Sequence, residues 1–108
     1  MRILQQDGRQ ANALPESAAL AKLEASGLFE LEWFLERNRD LTEPGLDPLR
    51  HYHLFGWREG RWPNAYFDPA RYLNANPDVL ASGIDPLLHY ALYGEREGRQ
   101  PIGYFDPV

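Results

Sequence analysis

Hydrophobic positions recur with helical spacing in short runs, and each run is bounded by Pro or Gly. Leu49 and Tyr52, like Leu87 and Tyr90, stand three positions apart, so each pair lies on one helix face. Asp-Pro pairs begin these runs, because Asp caps a first turn and Pro is tolerated at the first helical position. No segment alternates apolar and polar residues for long enough to predict a strand. The pattern predicts an all-α fold.

This pattern occurs twice in the chain. Residues 29–66 and 67–104 align without a gap, and 18 of the 38 positions are identical. A period of this length is typical of stacked supersecondary units that cannot bury their apolar faces alone. We therefore predict two tandem short-helix repeats of 38 residues, repeat 1 at 29–66 and repeat 2 at 67–104, packed on an N-terminal helix.

The remainder of the chain flanks these repeats. Residues 1–28 are predicted to be a flexible leader followed by a helix, which opens at Pro15-Glu16-Ser17 and ends at Gly27. Residues 105–108 match the start of a repeat, so they are interpreted as a truncated third copy. We expect residues 29–108 to form one folding unit within a longer protein. The alternative is a C-terminal cap that reuses the motif.

Repeat 1 departs from repeat 2 at two structural positions. Phe29-Glu30-Leu31 stands where repeat 2 has Phe67-Asp68-Pro69, so a weaker helix start is expected. Arg39 replaces Pro77. Because Pro disfavours helix in the residue before it, the absence of Pro in repeat 1 predicts that the helix from Glu30 to Asn38 runs further.

Composition and charge exclude several classes of partner. A chain of 108 residues has room for one core, and its net charge of −5 offers no basic face to nucleic acid or an anionic membrane. Cysteine is absent, which removes disulfides and thiolate chemistry. Residues 1–7 lack the apolar core of a signal peptide, and no apolar run is long enough to span a membrane. We therefore expect a cytoplasmic location.

The histidines and acids are weak candidates for chemistry. His51 and His53 stand two residues apart, unlike the i,i+4 spacing that places two imidazoles on one metal. An imidazole bonded to backbone or to an acid between helices is favoured, and a metal ligand or a partner contact is the alternative. Helix capping accounts for Asp47, Asp68, Asp85 and Asp106. We expect no metal, no cofactor and no catalytic residue, although spacing alone leaves paired carboxylates open.

The polar run Arg58-Glu59-Gly60-Arg61 and its copy have two interpretations. In the first, Glu59 or Glu97 pairs with an Arg of the neighbouring copy and locks the units together. In the second, the run joins nearby aromatic side chains to hold a ligand such as a sugar. The candidate contacts to a ligand or partner are Trp57, Arg58, Glu59, Arg61, Trp62, Arg96, Glu97 and Arg99. Glu95 and Gln100 replace the two Trp residues in repeat 2, which weakens a repeating-ligand argument.

The combined motif resembles a bacterial tandem repeat. The matching residues are Phe67-Asp68-Pro69, Tyr72-Leu73, Asn76-Pro77-Asp78-Val79, Gly83-Ile84-Asp85-Pro86-Leu87, His89-Tyr90, Gly94, Glu97-Gly98-Arg99 and Pro101. Such repeats flank glycosyltransferase domains of surface-polysaccharide biosynthesis proteins and occur in some large secreted haemolysin-type proteins. The resemblance covers residues 27–108, and repeat 1 departs from it at Leu31, Arg39 and Pro44. The resemblance implies no catalytic residues.

The resemblance implies a non-catalytic helical module of a larger polysaccharide-biosynthesis glycosyltransferase. Such a module would act as a scaffold or docking surface, with a protein partner or an adjacent domain of the same chain, and with a glycan as a further candidate. A spacer or adhesion module of an exported repeat protein is the alternative function. A self-contained enzyme is the third hypothesis. Flanking sequence would separate the first two, because a nucleotide-sugar transferase domain supports one and Gly-Asp-rich calcium repeats support the other.

Overall fold

The computed structural model describes residues 14–101, and in that range the chain is helical and contains no strand. The all-α prediction is therefore confirmed for this part of the chain. The α-helices are α1 Glu16–Ser26, α2 Leu31–Arg37, α3 Pro48–His51, α4 Pro69–Ala75, α5 Pro77–Ser82 and α6 Pro86–His89. A 3-10 turn lies at Arg39–Leu41. Two π-helical turns, Tyr52–Gly56 and Tyr90–Gly94, extend α3 and α6 respectively.

Within residues 14–101, each Asp that was predicted to cap a helix does so; the fourth predicted cap, Asp106, lies outside this range. Asp68 accepts hydrogen bonds from the backbone N–H groups of Ala70 and Arg71, at 3.1 and 3.2 Å. Asp85 caps α6 in the same way, and Asp47 caps α3. Glu30, which precedes α2, makes no side-chain cap. The weaker helix start predicted for repeat 1 is confirmed.

The helix before the 3-10 turn does not run on as predicted. α2 ends at Arg37, and Asn38 adopts φ −131°, close to the −130° of Asn76 after α4. In both places the Asn side-chain amide donates 2.7 Å to a backbone carbonyl four residues earlier. The prediction from Arg39 and Pro77 was wrong because the side chain of Asn, rather than the following Pro, ends the helix.

α1 ends in a turn that recurs later in the chain. Gly27 has φ 73° and Gly83 has φ 74°, a left-handed conformation that glycine adopts without steric cost. Just before each glycine, a Ser hydroxyl donates to the carbonyl three residues earlier, from Ser26 at 2.6 Å and from Ser82 at 2.7 Å. The shared Ala-Ser-Gly string therefore makes one kind of helix end at both places.

The core contains two aromatic clusters of the same shape. Phe29, Phe34 and Tyr52 have ring centroids separated by 4.8, 5.8 and 6.1 Å. The residues 38 positions later, Phe67, Tyr72 and Tyr90, have centroids separated by 5.1, 5.7 and 5.9 Å. In each cluster one pair of rings meets edge to face, Phe34 with Tyr52 at 87° and Tyr72 with Tyr90 at 89°. Aromatic pairs favour this arrangement.

Equivalent helices differ in how far they are covered. Asp85, Pro86, Leu87 and Leu88 in α6 and its cap are all buried, whereas Asp47, Pro48, Leu49 and Arg50 are half-buried or exposed. α1 contacts α6 and the π-helical turn that follows it. Tyr52 shows the opposite trend, because it is fully buried and its counterpart Tyr90 is half-buried. Burial at equivalent positions therefore differs between the two copies.

Within residues 14–101, no helix combines the length and the apolar character that crossing a bilayer requires. The predicted leader at residues 1–12 and the truncated third copy at 105–108 lie outside the described residues.

Candidate functional site

Arg61 is the centre of a polar cluster in repeat 1. Its Nη1 donates to Asn38 Oδ1 at 2.7 Å, and its two terminal nitrogens reach the two oxygens of Asp40 at 3.1 and 2.8 Å. Its Nε donates to Glu59 at 2.7 Å. The guanidinium therefore binds one carboxylate bidentately and two further acceptors. We call this cluster an arginine clamp.

Arg99 forms the second arginine clamp with the same atoms. It donates to Asn76 Oδ1 at 2.8 Å, to both oxygens of Asp78 at 3.1 Å, and to Glu97 at 2.7 Å. Each side chain stands 38 residues after its counterpart in the first clamp. The clamps tie the end of each copy to the Asn that terminates its first helix.

The clamps shift the pKa values of their members in a consistent direction. Hydrogen bonds from the Arg guanidinium lower the pKa values of Asp40 and Asp78. Glu59 also has a lowered pKa, first because of Arg61 and then because of a hydrogen bond with His51. In return, the carboxylates raise the pKa values of Arg61 and Arg99. The two Asp residues, Glu59 and the two Arg residues thus remain ionised at neutral pH.

Glu59 and Glu97 each bind the Arg two residues later in their own copy. The predicted lock between an Arg and a Glu of neighbouring copies is therefore wrong. The signal available in the sequence was the joint recurrence of Asn38, Asp40 and Arg61, since three identical polar residues at one offset can satisfy each other inside a unit.

The contact between the copies comes instead from His53. Its Nδ1 lies 2.8 Å from Asp85 Oδ2, and the two side chains are only 15% and 1% exposed. Burial raises the pKa of Asp85, with the hydrogen bond from His53 opposing that shift. An imidazole bonded to backbone or to an acid between helices was the favoured prediction, and for His53 the partner is an acid. We call this contact the seam pair.

The other two histidines have local partners. His51 Nε2 lies 3.3 Å from Glu59, and His89 Nδ1 lies 3.0 Å from the Tyr72 hydroxyl. Phe34 stands at the position of Tyr72 in repeat 1 and has no hydroxyl to offer. No group of three or more His, Cys, Asp or Glu residues suited to a metal is found in the described range.

The aromatic candidates divide by exposure. Trp57 is buried, donates its indole N–H to the His53 carbonyl at 2.9 Å, and lies under the Arg58 guanidinium, 4.2 Å away. Trp62 and Tyr66 are 36% and 71% exposed. Trp57 is therefore structural in its contacts, and Trp62 with Tyr66 remains available to solvent and to a ligand.

Arg58 and Arg96 complete the set of predicted contacts. Arg58 Nη1 donates to the Leu54 carbonyl at 2.9 Å, and Arg96 Nη2 donates to the Leu92 carbonyl. Both side chains are exposed, and each closes the turn after its π-helical segment. The predicted set is therefore divided among two clamps, two turn-closing Arg residues, one buried Trp and one exposed Trp, rather than gathered in one pocket.

A cleft that the sequence did not indicate lies between α1 and α3. It has a volume of about 410 Å³ and is lined by Leu20, Glu24, Phe29, Leu31, Asp47, Pro48 and Leu49. Its lining is mostly apolar with two acids. Sequence reasoning missed it because the cleft depends on how α1 lies beside repeat 1, which no local pattern encodes.

The clamps predict a specific pH dependence of stability. Because folding lowers the pKa of Asp78, its contribution is present above the unfolded value near 3.8 and is lost as the pH falls through the lower folded pKa. Asp78→Asn should therefore reduce stability at pH 7, by less than about 1 kcal/mol since the carboxylate is largely exposed. In urea unfolding measured from pH 7 to pH 2, the free energies of unfolding of the variant and the parent should become equal in acid. Glu36→Gln is the control, and a constant difference at all pH values would contradict the prediction.

Comparison with models of protein families, with curated proteins and with solved structures gives no match to this chain.

Proposed function

We propose that the chain is a non-catalytic helical repeat module, built from two stacked 38-residue units and an N-terminal helix, that serves as a scaffold or docking surface. The observation that carries the proposal is the duplication of the arginine clamp, with every donor and acceptor repeated. Polar side chains with this recurrence serve each unit internally. The carboxylates and Arg residues of the clamps are residue types that catalytic sites commonly use, and here they bind one another within each unit.

The seam pair supports stacking of the units. The His53 side chain of repeat 1 contacts the buried Asp85 of repeat 2, and Trp57, one helical turn after His53, is buried. Units that cover one another in this way gain stability from each neighbour, as in other repeat proteins. α1 contacts α6 and the turn that follows it, and so acts as the neighbour that repeat 2 would otherwise lack.

We further propose that the module belongs to a bacterial polysaccharide-biosynthesis protein that carries a glycosyltransferase domain. The resemblance of the repeat motif supports this assignment. Trp62 and Tyr66 support glycan contact, because exposed aromatic rings beside polar groups stack on sugar faces. Their partner is expected to be a glycan or the adjacent domain.

Titration of the chain with neutral and acidic oligosaccharides tests glycan contact. Binding should quench tryptophan fluorescence in the parent and should be lost in Trp62→Ala. Trp33→Ala is the matched control, because Trp33 is half-buried beneath the Arg37 guanidinium, 4.2 Å from its ring. Equal responses from both variants would reject Trp62 as the contact. Turnover of a nucleotide sugar by the chain alone would overturn the non-catalytic assignment.

A further inference from the structure

None of the residues that line the cleft between α1 and α3 belongs to an arginine clamp or to the seam pair. We propose that it is a docking site for a helix that presents an imidazole and, four residues later, an indole, as His53 and Trp57 do here. The occupant is the corresponding helix of a repeat unit that is not in this chain. This inference rests on the proposed function and deepens it, since it names the docking surface and the chemistry of the partner.

The first argument is equivalence of position. Asp47, Pro48 and Leu49 line the cleft, and their counterparts in repeat 2 are the fully covered Asp85, Pro86 and Leu87. Phe29, also in the lining, is half-buried, whereas Phe67 is 1% exposed. The same residue types therefore form a covered surface in one copy and an open one in the other.

The second argument is what covers that surface in repeat 2. His53 reaches the Asp85 carboxylate at 2.8 Å, and the Trp57 indole is held against the His53 carbonyl. α1 also contacts α6 and the turn that follows it, so the cover of this surface comes from the His53 imidazole and from α1. The molecule thus contains its own example of an imidazole paired with the carboxylate that caps this helix.

The third argument is charge. Two acids, Asp47 and Glu24, line the cleft, and none of its lining residues is basic. The nearby Arg50 is paired with Glu16 of α1. An imidazole or another basic group on the incoming helix would find a carboxylate at the place where Asp85 stands in repeat 2. The apolar lining suits the indole.

A second copy of the same chain fits poorly. At the positions of His53 and Trp57, repeat 2 carries Ala91 and Glu95. If repeat 2 of one molecule stacked on the cleft of another molecule, Glu95 would come close to Asp47 and Glu24. No imidazole would be supplied, because Ala91 stands at the position of His53. Like charges at an interface disfavour the wrong partner, so the cleft selects against self-association.

The test uses the full chain, labelled with nitrogen-15, and a synthetic peptide with the sequence of residues 47–62. Amide resonances of Leu20, Glu24 and Leu49 should shift on titration. Asp47→Asn should weaken binding about tenfold, the effect typical of losing a hydrogen bond to a charged group. Glu36→Gln, an exposed acid outside the cleft, should bind as the parent does.

The control peptide carries His53→Ala and Trp57→Glu, the residues of repeat 2, and should not bind. Equal binding of both peptides would overturn the proposal, as would the absence of any shift at the cleft. Shifts at Asp85 and Leu87 instead would mean that the peptide displaces the chain's own helix. Self-association in sedimentation without peptide would make a second copy the occupant. None of these results bears on the oligosaccharide titration, because Trp62 does not line the cleft.

Discussion

Replacing His53 with Ala should cost about 3 kcal/mol of unfolding free energy at pH 7, because it leaves a buried carboxyl group without its hydrogen-bond partner. The partner is Asp85, whose side chain is 1% exposed. Chemical denaturation at several pH values measures the effect. His51→Ala is the matched control, since the Glu59 side chain is 45% exposed and a pair of this kind contributes less than about 1 kcal/mol.

The loss in the His53 variant should depend on pH with a defined sign. Burial raises the pKa of Asp85. A carboxyl whose pKa rises on folding favours the folded state when it is protonated, so the penalty should shrink as the pH falls toward the ordinary Asp value of 3.8. A penalty that stays constant from pH 7 to pH 4 would show that Asp85 is not the buried charge responsible.

Replacing Gly94 with Ala should cost about 1–3 kcal/mol, the usual penalty for inserting a methyl group into a closely packed site. A Cβ at this position would overlap the Tyr72 hydroxyl and would lie 3.1 Å from Tyr90 Cδ1. The Tyr72 hydroxyl has little freedom to move, because it is buried and bonded to His89 at 3.0 Å. Thermal unfolding followed by circular dichroism measures the loss.

Gly56 is the matched position in repeat 1. A Cβ there would lie 3.2 Å from Tyr52 Cδ1 and 3.6 Å from Arg61 Cδ, and would meet no hydroxyl because Phe34 replaces Tyr72. Gly56→Ala should therefore change stability by less than about 1 kcal/mol, with helix propensity offsetting the tight contact. Adding Tyr72→Phe to Gly94→Ala should recover part of the loss. Strictly additive effects of the two changes would show that the hydroxyl is not the obstacle.

Local features of the fold could be read from the sequence. Asp-Pro pairs identified the starts of α3, α4 and α6, and Gly27 and Gly83 identified helix ends. These features depend on a few adjacent residues, and Pro and Gly have strong backbone preferences. The end of α2 was misjudged because Asn38 acts through its side chain, and Asn has no comparably strict backbone rule.

The candidate site was harder to predict because its contacts join distant residues. Arg61 and Arg99 were named as candidate contacts to a ligand or partner, whereas their carboxylate partners Asp40 and Asp78 were not among the candidates. A spacing of 21 residues between Asp and Arg carries no local signal, and only the folded unit brings them to about 3 Å. His53 was assigned an acid partner without the identity of that acid, for the same reason.

The seam pair has a consequence for how the chain reaches its fold. Similar tandem segments are prone to exchange partners during folding, and such exchange is a characteristic failure of repetitive proteins. Here the imidazole stands only in the first unit and the buried carboxylate that accepts it stands only in the second, since Asp47 is exposed and Ala91 replaces the histidine. This one asymmetric contact therefore favours pairing of the first unit with the second, because exchanging the units would leave the Asp85 carboxyl group without its imidazole partner.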